Sequence, residues 1–283
     1  MSRLQTRIIL HCLLVSFLIA IITSCSPAHT PTSSVVIKSK EDQKAGEWWA
    51  PIPGLDFQVQ YEGEIDLEVE VDVIALDLYE TSKEDIEYLH GKGVKVLCYL
   101  NAGAWEGWRP DRDDYPASVV GLKVHGWPSE RWLDIRQLEG LKPILEARLD
   151  LCRQNGFDGV DADNLDGVDN PTGFAITAED QIRFNRWLAQ AAHQRGLGIG
   201  LKNDPDQAPD LLEDFDWITT ESCFKQGWCQ QVSRFVQAGK PVFAIEYREE
   251  GMQLKDFCPQ AAALGMDAIL KNQSLDAWLA ACP

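Results

Sequence analysis

The sequence predicts an α/β protein built as a single (β/α)8 barrel, which follows an N-terminal export signal and a flexible tether. Eight short apolar or β-branched runs recur along the chain, and most of them precede a segment of helical periodicity. Such alternation favours a parallel sheet, and closure into a barrel is its simplest architecture. A doubly wound open sheet is the alternative, but no glycine-rich phosphate-binding fingerprint follows the first run.

The first 24 residues have the pattern of a secretory signal. Arg3 and Arg7 precede an apolar run over Ile8–Ile22, which is too short to favour a permanent transmembrane helix. The run ends in Ile22-Thr23-Ser24-Cys25, which resembles a bacterial lipobox, where cleavage precedes a lipid-modified cysteine. We therefore expect an exported lipoprotein of the bacterial cell envelope with Cys25 as its lipidation site; simple secretion is the alternative.

Residues 25–46 are predicted to form a flexible linker, because they are rich in Ser, Thr, Pro and Lys and hold few apolar side chains. No later stretch has this composition. One folded domain over residues 47–283 is the expected result.

The predicted strands of this domain are Phe57–Tyr61, Val71–Asp77, Val94–Asn101, Gly159–Asp163, Gly198–Asn203, Asp216–Glu221, Pro241–Tyr247 and Asp267–Lys271. The clearest helix is predicted over Ala178–Arg195. Thr177 is its expected N-cap, two acidic residues lie in its first turn, and Gly196 is its expected stop.

The charge of the chain excludes several classes of partner. There are 26 basic and 44 acidic residues, which gives a formal net charge of −18. Such a surface repels nucleic acid and anionic lipid headgroups, and it attracts cationic ligands. We expect a monomer with no nucleic-acid partner, which meets a membrane only through the predicted lipid anchor.

Six cysteines remain when the predicted signal and lipidation site are set aside: Cys98, Cys152, Cys223, Cys229, Cys258 and Cys282. An even number in an exported chain favours disulfides, although many pairings are possible. Cys223 and Cys229 are close enough in sequence to close one loop. Cys258 and Cys282 could join the last helix to the domain, which leaves Cys98 with Cys152. A zinc site is the rival interpretation, but there is no CxxC pair and the five histidines are scattered.

Polar residues stand at the ends of the predicted strands: Tyr61, Asp77, Asn101, Asp163, Asn203, Glu221, Glu246 and Lys271. In a barrel the C-terminal ends of parallel strands meet at one mouth, where active sites lie. One such residue could be an ordinary solvated loop residue, whereas eight in register predict a shared polar mouth. Asp161 and Asp163 lie two apart, so they share one face of a strand, and Asp204 and Glu221 add acids across the mouth.

Two carboxylates at different strand ends can act as nucleophile and general acid/base in glycoside cleavage. The rival interpretation is an irregular calcium loop over Asp161, Asp163, Asp166 and Asp169. The register of an EF-hand fails there, because Leu165 and Thr172 occupy two ligand positions. Serine catalysis has less support, since no G-x-S-x-G elbow occurs.

Ten tryptophans are many for a chain of this length. Several of them fall in the long segment after the third predicted strand, where a βα-loop would line the barrel mouth. Most should be core residues or loop anchors. Trp105 and Trp108 are our candidates for exposed platforms that stack on sugar rings.

These motifs together resemble glycoside hydrolase family 114, the endo-α-1,4-polygalactosaminidases. The matching segments extend over about residues 48–282 and comprise Trp48–Pro51, Cys98–Glu106, Trp108–Asp111, Gly126–Pro128, Arg131–Arg136, Gly156–Asn164, Gly200–Asp204, Glu221–Phe224 and Ala238–Phe243. The resemblance implies a (β/α)8 barrel that cleaves α-1,4-linked galactosamine polymers with no metal and no cofactor. A partly deacetylated polymer of this kind is cationic, which agrees with the acidic chain.

Residue by residue, the resemblance implies Asp163 as nucleophile and Glu221 as general acid/base of a retaining mechanism, with Asp161 open as the alternative nucleophile. The expected substrate-binding residues are Asp77, Tyr99, Asn101, Trp105, Trp108, Asp161, Asn164, Lys202, Asn203, Asp204, Glu246 and Tyr247. Two other hypotheses remain: a catalytically silent surface lipoprotein that binds cationic polysaccharide, and a structural lipoprotein without carbohydrate affinity.

Overall fold

The computed structural model describes residues 48–283. The predicted signal over residues 1–24, the lipidation site at Cys25 and the linker over residues 25–46 lie outside this part of the chain. Among the described residues, no helix is both long and apolar enough to cross a membrane.

Twelve strands and seven α-helices make up the described fold. The strands are β1 (Phe57–Gln60), β2 (Val73–Asp77), β3 (Lys95–Asn101), β4 (Ala104–Glu106), β5 (Val120–Val124), β6 (Trp127–Leu133), β7 (Gly159–Asp163), β8 (Gly198–Lys202), β9 (Trp217–Glu221), β10 (Val242–Tyr247), β11 (Asp267–Lys271) and β12 (Leu279–Ala281). The α-helices are α1 (Lys83–Gly91), α2 (Leu138–Asn155), α3 (Ala178–His193), α4 (Ala208–Leu211), α5 (Cys223–Gln226), α6 (Ser233–Gln237) and α7 (Leu254–Leu264). Short 3-10 helices cover Arg112–Asp114, Ala117–Val119, Gly167–Asp169 and Cys229–Val232.

The principal sheet confirms the predicted barrel. Its order is β1-β2-β3-β7-β8-β9-β10-β11-β12, and every pair from β1 to β11 is parallel. The eight parallel strands are the eight that the sequence predicts, each with ends within two residues of the predicted ones. The short β12 adds to β11 in the antiparallel direction.

No ladder hydrogen bonds join β1 to β11 within the described chain, and hydrogen bonds of other kinds connect the two edges of the barrel. Lys271 Nζ donates to Gln58 Oε1 at 2.6 Å and to the Asp276 carbonyl at 2.7 Å. The Tyr61 N–H donates to the Leu275 carbonyl at 2.9 Å. This contact fixes Tyr61 at the mouth, beside the end of β1.

Apolar side chains fill both sides of the sheet, as expected for parallel strands covered by helices. In β2, Val73 and Ala75 pack with Trp217 and Phe243 in an inner cluster. Ile74 and Leu76 of the same strand pack outward in the larger cluster that includes residues of α1, α2 and α3. The strand period of two residues explains this division.

Helix α3 follows its sequence signals closely. Thr177 caps it, and a capping box forms with Asp180. The helix ends at His193, two residues before the predicted end, and Gly196 has the left-handed φ of 71° that suits the chain reversal after it.

A three-stranded antiparallel sheet, in the order β4-β6-β5, is inserted between β3 and α2. Its pairing sets Trp105 opposite Arg131 and Glu106 opposite Glu130. We call this unit, residues 104–133, the inserted sheet. It begins directly after the C-terminal end of β3, which is the end at which a barrel carries its active site.

The disulfide bonds match the pairing that the spacing of the cysteines suggested. Cys98 of β3 bonds Cys152 of α2, Cys223 of α5 bonds Cys229, and Cys258 of α7 bonds Cys282. The second bridge closes the loop that begins two residues after Glu221.

Candidate active site

Three neighbouring strands bring charged residues together at the mouth of the barrel. Asp163 ends β7, Lys202 ends β8 and Glu221 ends β9. Lys202 Nζ lies 3.6 Å from Asp163 Oδ1 and 3.5 Å from Glu221 Oε2. These two carboxylate oxygens are therefore no more than about 7 Å apart. Lys202 Nζ also lies 3.9 Å from Asp161 Oδ2.

The ammonium of Lys202 stays charged although its side chain is buried. Burial opposes the charge, but attraction to Asp163, Glu221 and Asp161 outweighs burial and raises the pKa of Lys202. One cation thus balances three carboxylates. The site keeps an excess of negative charge that a cationic ligand would reduce.

The carboxylates of Asp163 and Glu221 are each held by hydroxyl or amide donors. Tyr99 OH donates to Asp163 Oδ2 at 3.0 Å. The Tyr247 hydroxyl donates to Glu221 Oε1, and Asn203 Nδ2 donates to Glu221 Oε2 at 3.3 Å. Burial raises the pKa values of Tyr99 and Tyr247 well above their ordinary range, so both hydroxyls remain donors.

Asp161 lies deeper than the other two acids. Its side chain is 2% exposed, against 23% for Asp163 and 26% for Glu221. It accepts hydrogen bonds from the Tyr61 hydroxyl and from Thr219 Oγ1, the latter at 3.1 Å. Asp163 and Glu221 are therefore the accessible pair, whereas Asp161 lies beneath them in the barrel interior, beside Lys202.

The backbone turns sharply where these strands end. Residues with left-handed φ angles follow β7, β8 and β9: Asn164 at 58°, Asn203 and Asp204 at 54°, and Ser222 at 54°. Such strained conformations collect at functional sites. A Cβ at position 103 would lie 1.7 Å from the Asn164 carbonyl oxygen, so only glycine fits at Gly103, in the turn between β3 and β4.

The model of glycoside-hydrolase family GH114 matches residues 38–283. The chain belongs to this family. The predictions of a barrel glycoside hydrolase and of this family are therefore confirmed.

Solved structures agree with the assignment. The chain is similar to Aspergillus fumigatus Ega3, crystallised in complex with galactosamine, with 35% identity and a TM-score of 0.79 over 84% of this chain and 99% of that one. The glycoside hydrolase domain of PelA from Pseudomonas aeruginosa shares the fold, with 18% identity and a TM-score of 0.64 over 80% and 98% of the two chains. An uncharacterised Deinococcus radiodurans protein is 25% identical over 65% of this chain and 66% of its own length.

The mouth of this GH114 barrel unites six of the predicted substrate-binding residues with the acidic pair. Tyr99, Asp161, Lys202, Asn203 and Tyr247 contact the pair or one another through the interactions given above. Asn164 follows Asp163 directly and is partly exposed.

Four other predicted substrate-binding residues form hydrogen bonds or ion pairs with other residues of the protein. Asp77 forms a buried ion pair with Arg109 at 2.6 Å. Glu246 accepts the N–H groups of Phe224 and Lys225 at 2.8 and 3.2 Å. Asp204 accepts from Asn185 Nδ2 at 3.2 Å, and Asn101 Nδ2 donates to Glu130 Oε2, also at 3.2 Å. All four are almost fully buried, so the structure sets them behind the accessible pair.

Trp105 and Trp108 lie on the inserted sheet and in the loop after β4. They line a cavity of about 340 Å³ together with Gly107, Pro128, Ser129 and Arg131, and none of the three clustered carboxylates lines it. Trp108 is half exposed. Trp105 Nε1 donates to the Arg112 carbonyl at 2.9 Å, which fixes its ring.

Sequence reasoning missed two residues that shape the site, Thr219 and Glu130. Thr219 lies two residues before Glu221 in β9, so the strand period could have revealed that both side chains share a face. Glu130 carries no local signal, because only the fold of the inserted sheet brings it near Asn101.

The calcium and zinc alternatives find little structural support in residues 48–283. Lys202 Nζ occupies the space between Asp161 and Asp163 and would repel a second cation there. The described side chains that group most like metal ligands are Cys223, Cys229 and Glu246. Both of these sulfurs are bonded to each other in a disulfide.

Proposed function

We propose that this GH114 protein is an endo-acting hydrolase of α-1,4-linked galactosamine polymers, with Asp163 as nucleophile and Glu221 as general acid/base. The observation that carries the proposal is the accessible carboxylate pair on either side of Lys202. Glycoside cleavage needs two such groups on opposite sides of the scissile bond. Asp161 is the less suitable nucleophile, because its two hydrogen bonds and its burial keep its oxygens from the open mouth.

In the first step, Glu221 transfers a proton to the glycosidic oxygen while Asp163 attacks the anomeric carbon. The carbon–oxygen bond to the leaving sugar breaks as the bond to Asp163 forms. In the second step, Glu221 takes a proton from water, and that water displaces Asp163 from the anomeric carbon. Tyr99 holds Asp163 in position, and Tyr247 and Asn203 hold Glu221.

The limit of about 7 Å between the two nearest oxygens bears on stereochemistry. It admits the spacing of about 5–5.5 Å that retaining enzymes use, and only the short end of the inverting range of about 6.5–9.5 Å. Retention of configuration is therefore the outcome that we propose.

The charge of the site supports an amino-sugar polymer as substrate. Three carboxylates, those of Asp161, Asp163 and Glu221, surround the ammonium of Lys202, so the mouth keeps an excess of negative charge. A partly deacetylated galactosaminan carries ammonium groups that this field attracts. The likeness to Ega3, whose crystals held galactosamine, points in the same direction.

We also propose that the protein works outside the cytoplasm, anchored through Cys25. Three disulfides among the described residues fit an oxidising compartment, and the N-terminal pattern fits a lipoprotein signal. Labelling of the expressed protein with a radioactive fatty acid tests the anchor. The label should be lost in a Cys25→Ala variant, and an unlabelled wild type would contradict the anchor.

The activity is tested by release of reducing ends from partly deacetylated α-1,4-galactosaminan by residues 26–283. Glu221→Gln and Asp163→Asn should each lose at least about 1,000-fold in kcat, whereas Asp161→Asn should retain measurable turnover. NMR of the first product should show the α-anomer if configuration is retained. A folded wild type that binds the polymer without cleaving it would instead support the catalytically silent binding protein.

A further inference from the structure

Two glutamates face each other across the inserted sheet, but only one of them has a counter-charge. Glu106 of β4 and Glu130 of β6 are directly paired, so their side chains lie on the same face. Both are buried. Glu106 accepts from Arg109 at 2.8 and 2.9 Å and has Arg148 at 3.6 Å.

Glu130 has no cation within 4.0 Å among residues 48–283, and its one hydrogen bond comes from Asn101 Nδ2 at 3.2 Å to Oε2. The side chain is nine-tenths buried, yet Oε1 is neither hydrogen-bonded nor wholly shielded from solvent. Burying a carboxylate without a partner is costly. A bound ligand that carries a positive charge would lower the free-energy cost of burying this carboxylate.

Glu130 points into the part of the mouth that holds Asp163. Asn101, its partner, is the last residue of β3 and lies in register with Asp163 of β7. The amide of Asn101 is fixed, because its Oδ1 accepts from the Ala104 N–H at 2.7 Å. Burial raises the pKa of Glu130 to about 8, and the nearby charge of Asp163 adds to the rise. The free protein therefore favours the protonated acid, and a cation bound beside it would favour the charged form.

Substrate chemistry supplies one cationic group near these atoms. A galactosamine unit carries an ammonium at C2, the carbon next to the anomeric centre that Asp163 attacks. An N-acetylated unit carries a neutral amide there, which cannot compensate a buried carboxylate. We propose that Glu130 recognises the free amino group of a galactosamine unit bound beside Asp163, and so sets a preference for deacetylated units.

This inference rests on the proposed function, because it assumes that the polymer binds at Asp163. A purely structural role for Glu130 is the alternative. In that case the hydrogen bond to Asn101 would anchor the inserted sheet, and its loss would lower thermal stability without changing which sugar is preferred.

The test compares Glu130→Gln with Glu139→Gln in cleavage of galactosaminans of high and low deacetylation. Glu139 is exposed on α2 and provides the same chemical change on the surface. Glu130→Gln should raise KM for the highly deacetylated polymer at least about tenfold, while kcat changes less than about threefold. KM for the highly acetylated polymer should stay within about twofold of the wild-type value. Glu139→Gln should match wild type on both polymers.

Binding is measured separately by calorimetry with galactosamine and N-acetylgalactosamine oligomers, in a Glu221→Gln protein that cannot turn them over. Loss of preference for the free amine on adding Glu130→Gln supports the inference even if the wild type cleaves neither polymer. An unchanged preference overturns it, and so does a wild type that binds neither oligomer.

A second variant keeps the test decisive if Glu130→Gln destabilises the fold. If Glu130→Gln lowers the melting temperature by more than about 10 °C, Glu130→Asp replaces it, because the shorter side chain keeps the charge. Glu130→Asp should keep the preference for free amines with weaker binding. A lost preference in this variant, or an equal KM on both polymers in the wild type, also contradicts the inference.

Discussion

Lys202 is the residue on which the charge balance of the mouth depends. Its buried ammonium lies within 3.9 Å of three carboxylates, two of which are the accessible pair. Removal of one partner from a buried ionic cluster costs more than the pair itself contributes, because the remaining charges are left uncompensated. Substitution of Lys202 should therefore affect both the position of the pair and the stability of the domain.

We expect Lys202→Met to lower kcat/KM on the galactosamine polymer by at least about 100-fold, as the loss of one preorganised charge in an active site typically does. Reducing-end assays and thermal melting provide the two measurements. Lys142→Met is the matched control, since Lys142 forms an exposed ion pair with Glu139. A Lys202→Met protein as active as this control would show that the ammonium does not organise the site.

Strand β8 has glycine at two positions, Gly198 and Gly200, where it packs against the large Trp217 side chain of β9. Trp217 of β9 is fully buried inside the barrel. A Cβ on Gly200 would lie 2.1 Å from Trp217 Nε1, and one on Gly198 would lie 2.2 Å from the Trp49 carbonyl oxygen. Glycine in this strand is therefore explained by lack of space, not by backbone angle. The indole fills the volume that larger side chains of β8 would otherwise occupy.

Gly200→Ala should lower the free energy of unfolding by about 1–3 kcal/mol, because a methyl group overpacks the interior. Urea denaturation at constant temperature measures the change. Gly91→Ala is the control, since nothing lies within 4 Å of a Cβ at this position at the end of α1. It should be neutral or stabilise by up to about 1 kcal/mol. Equal effects of the two substitutions would contradict the packing argument.

Across residues 48–283, several buried or half-buried acids have pKa values well above their usual range. Burial is the first cause in each case, and it raises the pKa of Asp204 to about 8, of Glu130 to about 8, of Glu246 to about 7, of Asp166 to about 7 and of Asp267 to about 6. In the unfolded chain, such groups titrate near pH 4. Between pH 4 and 8 the folded state therefore binds more protons than the unfolded state.

Stability should consequently fall as the pH rises from about 5 to about 8, because stability decreases with pH wherever the folded state holds the extra protons. We expect the melting temperature to drop by about 5 °C or more over this range. Below pH 4 the trend reverses, because arginines lower the pKa values of Asp111 and Asp134 despite the opposing effect of burial. Differential scanning calorimetry across this range provides the measurement.

Asp204→Asn tests the cause of this pH dependence. It should weaken the dependence between pH 5 and 8, since it removes a group whose folded pKa is about 8. Glu139→Gln, on an exposed carboxylate, should leave the dependence unchanged. A wild-type melting temperature that stays constant or rises over this range would contradict the account.

Local patterns were sufficient to predict the eight barrel strands, because a strand buried on both faces needs a continuous apolar run. They were also sufficient for α3, whose cap and stop are local features. The inserted sheet escaped prediction, since its strands are held by cross-strand pairs such as Glu106 with Glu130 rather than by a strong local signal.

The sequence by itself determined the barrel and the positions of Asp163 and Glu221 at strand ends, because hydrophobic periodicity assigns each residue to a strand and a face. Tertiary structure alone decided which acids remain accessible. Arg109 neutralises Asp77 from 32 positions away, and Asn185 of α3 binds Asp204 in the loop after β8. Charge compensation and burial depend on such distant partners, and only the closed barrel brings them together.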